Sequence, residues 1–313
     1  MSDSKIRYTV AALIINWNGA ADTIDLLKSL RTTRPPDVDL TVVIVDNGSE
    51  REDRARLEAY LASVDGVGKV SLCTNAVNVG VPAAYNQAIQ VAGPDYDFYL
   101  RLDNDVLLAQ DGLTRLIAAM NETRSENVGL VGGNVKYWAR PEEDNGGAVT
   151  INLVQGRTAV SYPAEDTFCD GVLGCIMLIH RAVVQRYAPL VFDPTLFVTV
   201  DESELSLRAA EAGMKTLYVS RTIGFHKGGV STGKVPFLSR YYSARNWTLV
   251  RSRFLGSSRD RLRLFMSVAF WWWVSLLRGR WAYCLGSMSG ALKASANGID
   301  RRVRRLKRTQ LVE

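Results

Sequence analysis

The sequence has 4 cysteines (Cys73, Cys169, Cys175, Cys284) and 2 histidines among 313 residues. The cysteines are scattered and none sits in a C-x-x-C pair. That excludes a disulfide framework and argues against a structural zinc site. A reducing, cytosolic setting is the default expectation. No G-x-G-x-x-G follows the first apolar run, and no G-x-x-x-x-G-K-[ST] occurs, which disfavours a dinucleotide fold and a P-loop NTPase. No uncharged run reaches the roughly 20 apolar residues that cross a bilayer. The first apolar run, Val10–Ile15, follows a polar start and is too short for a signal peptide. Glycine (25) and proline (9) are ordinary, and 47% of residues are hydrophobic against 22% charged. Such a profile excludes a disordered or low-complexity chain and supports one large domain or two ordinary ones.

The net charge of +6 hides a division. Residues 1–239 carry a net −7 and residues 240–313 a net +13. An acidic body therefore precedes a basic tail, and that asymmetry points to a polyanionic partner for the tail.

Up to about residue 135, strand-like and helix-like runs alternate. Val10–Ile15, Leu40–Val45, Val70–Cys73, Phe98–Leu102 and Val128–Val131 read as buried strands. Between them, Ala21–Leu30, the stretch around Leu57 and Leu61, Ala83–Val91 and Leu113–Met120 read as helices. This order implies an α/β fold with a parallel sheet covered on both faces. Residues 136–168 read as an elaborated loop or short strands. Beyond them, Leu173–Ile179 is strand- or helix-like, a polar helix begins at His180-Arg181, Ser203–Ala212 is a helix and Thr216–Val219 a strand.

Polar clusters follow the early strands at Asn16–Asn18, Asp46–Ser49, Asn75–Gly80 and Asp103–Asp105. In an open parallel sheet, ligands bind outside the carboxyl ends of the strands. Any one cluster is equally a turn, but four at equivalent positions predict a shared ligand edge. Asp103 and Asp105, one residue apart at a strand end, suit a divalent cation and its diphosphate. Asp201-Glu202-Ser203-Glu204 opens a helix. There, acids either answer the helix dipole or supply a carboxylate base. His226, in a loop rich in Gly, Ser and Thr, is not placed like a core histidine and could join Asp105 on a metal. His180, at a helix start, reads as structural.

The runs Ile15–Gly19, Val45–Ser49, Asn75–Asn86, Leu102–Asp105, Asp201–Arg208 and His226–Gly233 occur in the order seen in family 2 glycosyltransferases. The resemblance covers roughly residues 8–253, includes Arg240–Asn246, and is nearest the rhamnosyltransferase and galactofuranosyltransferase branch. It implies a GT-A fold, with a mostly parallel central sheet and a nucleoside-diphosphate sugar donor. By the same resemblance Asn16, Asn18, Asp46, Asn47 and Asn78 match nucleotide-binding positions, with Asn104 beside them. Asp103 and Asp105 match the D-x-D motif, His226 a metal-binding histidine, and Asp170 a position near the acceptor and donor sugar. Glu202 matches the base, in a place where the family more often has Asp, so Asp201 competes for the role. The segment Gly80–Ala84 is less glycine-rich than the family pattern. The implied reaction is a metal-dependent (Mg²⁺ or Mn²⁺) inverting transfer from a dTDP- or UDP-linked sugar, L-rhamnose first. The implied acceptor is a glycan, a lipid-linked molecule or a small molecule.

The expected organisation is a catalytic domain over 1–236 (nucleotide-sugar half 1–135, acceptor half 136–236) and a helical basic tail over 237–313. Leu264–Leu277 and Trp281–Leu292 are uncharged and flank Arg278 and Arg280, and Arg301–Arg308 holds six basic residues in eight. These segments read either as a core-packing helical hairpin or as an interfacial segment on an anionic membrane, at its cytoplasmic face. Nucleic acid is not expected as a partner, since the acidic body offers no matching basic face. Nucleotidyl transfer onto a sugar phosphate is the competing reaction. It usually starts from a glycine-rich basic loop, and Asn16–Asn18 is not one. A catalytically silent sugar-binding or scaffold protein is the remaining alternative, and the intact Asp103, Asp105, Glu202 and His226 speak against it.

Overall fold

The computed structural model describes residues 8–63, 68–228, 236–255 and 258–293. The expected motif residues 229–233 and the basic run Arg301–Arg308 lie outside them. The strands are β1 (Tyr8–Asn16), β2 (Val38–Asp46), β3 (Lys69–Thr74), β4 (Phe98–Asp103), β5 (Val106–Leu108), β6 (Val128–Tyr137), β7 (Asp144–Gly146), β8 (Ala148–Asn152), β9 (Arg157–Ser161), β10 (Thr167–Cys169), β11 (Gly171–Val172), β12 (Ile176–His180) and β13 (Lys215–His226). The helices are α1 (Ala20–Thr33), α2 (Arg51–Ser63), α3 (Val81–Ala92), α4 (Gly112–Glu122), α5 (Arg181–Tyr187), α6 (Asp201–Glu211), α7 (Pro236–Phe254) and α8 (Ser258–Leu277). A last helix, α9, covers 281–293.

The main sheet runs β10-β13-β6-β12-β4-β1-β2-β3. β1, β2, β3 and β4 are mutually parallel, β13 is parallel to β6, and β12 is antiparallel to both β4 and β6. The stretch 136–168 resolves into short strands, and Leu173–Ile179 into β12 rather than a helix. Val10, Ala12 and Ile14 face one apolar cluster with Leu26, Leu27 and Leu30 of α1 and Leu113 and Leu116 of α4. Ala11 and Leu13 face the other, with Ala84 and Tyr85 of α3, Val183 of α5 and Leu205 of α6. Because successive strand side chains point to opposite faces, near-continuous apolar runs are what a sheet buried on both sides requires.

The chain divides into two compact units: residues 1–150, 159–197 and 201–230, and residues 151–158, 198–200 and 231–313. In the second unit, α9 packs closely on α7. A Cβ at Gly286 would lie 2.2 Å from the Tyr241 carbonyl oxygen, and one at Gly290 would lie 2.5 Å from that of Arg245. Only glycine permits that approach. Among the described residues, no helix is long and apolar enough to cross a membrane.

Candidate active site

The parallel register brings the four early strand ends to one edge. Asn16 pairs with Asp46, Asp46 with Thr74, and Ile15 with Asp103. The polar clusters predicted from sequence therefore meet, but they divide into two kinds.

Asn16, Asp46 and Asn47 form the floor and are almost fully buried. The Asn16 amide donates to Asp46 Oδ1 (2.9 Å), Ser49 Oγ (3.1 Å) and Asp53 Oδ2 (3.0 Å), and its oxygen accepts from the Thr23 hydroxyl (2.8 Å). Asp46 also meets Arg54 Nε at 3.3 Å. Asn47 donates to Asn78 Oδ1 (3.1 Å) and accepts from Asn75 Nδ2 (3.2 Å) and the Val79 amide (3.0 Å). Buried polar groups must be paired, and here the pairing fixes the loops. Asn18, at φ +51°, takes a hydrogen bond from the Glu50 amide at 2.8 Å. Asn104 donates to Gly19 O and Thr23 Oγ1, both at 3.2 Å. Asp170 lies exposed between β10 and β11.

Asp103, Asp105 and His226 are the second kind. They are half-buried, and their candidate ligand atoms all lie within 4.8 Å of one another. His226 is the last residue of β13, which pairs antiparallel with β5 and sets His226 opposite Val106. This corrects the expected loop position: β-pairing, not a loop, delivers the imidazole. His226 Nε2 lies 3.1 Å from Asp105 Oδ1. Burial works against a charged imidazole, but the Asp105 carboxylate outweighs it and raises His226 above its ordinary range. Burial also raises the Asp103 carboxyl, against the pull of Arg101. Next to His226, Lys227 ties this corner to α1 through Asp22 (2.6 Å) and Asp25 (3.1 Å). Two carboxylates and one imidazole fit a divalent ion that keeps open positions for phosphate oxygens and water. The donor set can therefore hold such an ion.

The acidic run opening α6 sorts itself by partner. Arg101 and Asp103 project from the same face of β4, two residues apart. The Arg101 guanidinium lies over the rings of Tyr85 (4.5 Å) and Phe192 (5.2 Å). It pairs with Asp201 at 2.6 Å, with side-chain exposures of 5% and 2%. Glu204 is held by Arg208, one turn on, through two bonds of 2.8 Å. Neither pairing takes Glu202. Burial first, then the neighbouring Asp201 charge, push its carboxyl up to about 8, while Arg101 pulls the other way. A carboxylate so placed can accept a proton near neutral pH. Sequence reading missed Arg101, Tyr85 and Asp53. A charged residue inside the apolar strand Phe98–Leu102 was the available signal, because a buried guanidinium demands a buried acid.

The turn entering α6 is held in unusual backbone. Phe197, Thr199 and Val200 have φ of +65°, +63° and +67°, a rare state for β-branched residues. In the second unit, fully buried Asn246 donates to the carbonyls of Val198 (2.7 Å) and Thr199 (3.1 Å).

Comparison with known proteins fits this geometry. The family model described as "Glycosyl transferase family 2" matches residues 12–152. No curated protein sequence matches the chain. Among solved structures, the mannosyltransferase PcManGT from Pyrobaculum calidifontis, in complex with GDP-Man and Mn²⁺, superposes with TM-score 0.58 at 16% identity, covering 96% of this chain and 81% of its own. GalNAc-T7 with UDP, GalNAc and Mn²⁺ gives 0.59 at 15%, covering 80% and 48%. S. aureus TarS gives 0.53 at 15%, covering 77% and 39%. The chain thus spans less than half of the latter two proteins. Such distant likeness establishes a GT-A fold, and residues 12–152, less than half of the chain, match the glycosyltransferase family 2 model. The protein is a glycosyltransferase.

Proposed function

We propose that this glycosyltransferase moves a sugar, with inversion, from a nucleoside diphosphate to an acceptor hydroxyl, using Glu202 as base and Asp103, Asp105 and His226 as metal ligands. One observation carries the reading: a three-residue metal-competent cluster lies on the sheet edge, and Arg101 holds the neighbouring Asp201 while leaving Glu202 outside that pair. Glu202 takes the acceptor hydroxyl proton as the new bond forms. Its carboxyl, raised to about 8, is basic enough for that work and near the operating pH, where a general base is most effective. Asn18, Asn78, Asn104 and the floor residues Asn16, Asp46 and Asn47 shape the nucleotide pocket, and Asp170 serves the sugar side. Asp103, Asp105 and His226 would hold a divalent ion, which would supply positive charge to the departing diphosphate. The imidazole favours Mn²⁺ over Mg²⁺.

For the donor we propose dTDP-L-rhamnose, by resemblance to the rhamnosyltransferase branch, with UDP-linked sugars next. The solved neighbours that hold GDP-Man or UDP with Mn²⁺ support the donor class rather than the sugar. The proposed acceptor is a glycan, a lipid-linked molecule or a small molecule, met at the cytoplasmic face of an anionic membrane. The net +13 of residues 240–313 supports that placement.

Calorimetry with dTDP, UDP and GDP, each with Mn²⁺, Mg²⁺ or EDTA, tests the proposal on the parent chain and on Asp105→Ala. Metal-dependent binding of one nucleotide, lost in the variant, is the expected result. A folded chain that binds none of the three overturns the donor site.

A further inference from the structure

The second unit presents two apolar stripes. On α8, Leu262, Met266, Phe270, Trp273 and Leu277 recur at spacings of three and four and are 60–68% exposed. On α9, Trp281, Leu285, Met288 and Leu292 do the same at 50–70% exposure. Residues three and four apart share a helix face, so each set is one continuous stripe. The α9 stripe lies opposite Gly286 and Gly290, the face that α7 occupies. Packing therefore fixes which side of α9 turns outward. Scattered surface leucines are normal, but two regular stripes with aromatic ends mark an interaction surface.

Charge selects the occupant. Residues 258–293 carry six Lys/Arg and a single acid, Asp260. Arg278 and Arg280 are exposed in the stretch between Trp273 and Trp281. Residues 294–313 add six more basic residues against two acids. A second copy would bring the same positive charge to its own stripe. An anionic bilayer answers both features, since it takes up an apolar face and attracts the basic flanks. Tryptophan beside arginine suits the boundary between acyl chains and headgroups. No described helix is long and apolar enough to cross a bilayer, so a bilayer would be met at its surface.

We infer that α8 and α9 form a membrane-docking surface that inserts its two stripes into the headgroup layer of an anionic leaflet. This rests on, and makes specific, the peripheral placement proposed above. It requires no donor, metal or catalytic residue.

Vesicle flotation of the full chain tests it. The vesicles are phosphatidylcholine alone or with about 30% phosphatidylglycerol, at low and high salt. Trp273→Ser/Trp281→Ser alters two exposed side chains, and circular dichroism checks its fold. The parent is expected to float with anionic vesicles and to stay partly bound at high salt, because burial of apolar surface is not screened. The double variant is expected to lose about tenfold or more in partition. A parent that never floats overturns both the docking surface and the peripheral placement. A double variant that floats like the parent overturns the docking surface alone and leaves attachment to the basic tail. A parent that is dimeric by light scattering, and that the double variant turns monomeric, assigns the stripes to a second copy and overturns the proposal.

Discussion

Asp201→Asn and Glu202→Gln touch adjacent residues, and the structure predicts opposite consequences. Asp201 neutralises a guanidinium that is itself sealed between Tyr85 and Phe192. The asparagine leaves that charge buried without a counter-ion, and Arg101 Nε has no hydrogen-bond partner among the described residues. Breaking one side of a buried pair costs about 3–5 kcal/mol, so Asp201→Asn is expected to lose most of that in chemical denaturation. Its chemistry should survive in the folded fraction. Removing the Asp201 charge while keeping Arg101 makes ionised Glu202 easier to form, so the rising limb of its kcat/KM profile should move to lower pH. Glu202→Gln should instead lower kcat by about 10²- to 10⁴-fold at every pH, the usual worth of a general base. Its stability should rise relative to the parent. The Glu202 carboxyl is raised from 4.5 to about 8 on folding, so the folded parent holds a proton that the unfolded chain has released. Parent stability therefore falls across that window as pH rises, by at most about 1.4 kcal/mol per pH unit. Glutamine carries no such proton. The two measurements are denaturation curves and kcat/KM profiles of all three chains from about pH 5 to 9. An Asp201→Asn chain that is inactive but as stable as the parent, together with a Glu202→Gln chain within tenfold of parental activity, would overturn the assignment. Asp201 would then be the base.

Two further outcomes follow from the geometry. The Tyr85 hydroxyl donates to Leu102 O (2.9 Å) and contacts Asp103 Oδ1 (3.3 Å). Tyr85→Phe should weaken Mn²⁺-dependent nucleotide binding by about 10- to 100-fold, as loss of a ligand's outer support does; unchanged calorimetric affinity would show that Asp103 needs no such support. Asn246→Ala removes both donors to the Val198 and Thr199 carbonyls. It should lower stability by about 2–3 kcal/mol and reduce kcat more than it raises KM, because the released turn leads directly into Asp201 and Glu202; a drop in stability with kcat intact would confine Asn246 to a structural role.

The sequence alone specified the layering. Unbroken apolar runs such as Val10–Ile15 and Leu40–Val45, separated by amphipathic helices, admit little besides a parallel sheet covered on both faces. It also determined that polar clusters follow the early strands, and parallel pairing then requires them to share an edge. Local pattern was enough because both properties are local. What Asn16, Asp46 and Asn47 do at that edge depended on partners 30 or more positions away, such as Asp46 and Asp53 for Asn16 and Asn78 for Asn47. Residue type does not tell an amide that binds a ligand from one that pins a loop. The same limit applied to Asp201 and Glu202, adjacent in sequence and equal in charge. Tertiary structure gives them different surroundings by bringing Arg101 across 100 positions to Asp201, and the proposal of Glu202 as base rests on that difference. In the basic tail, composition left a core hairpin and an interfacial segment equally open. Only the packing of Gly286 and Gly290 against α7 decided which face of α9 is turned outward, because helical periodicity defines a stripe but not the side on which its neighbour lies.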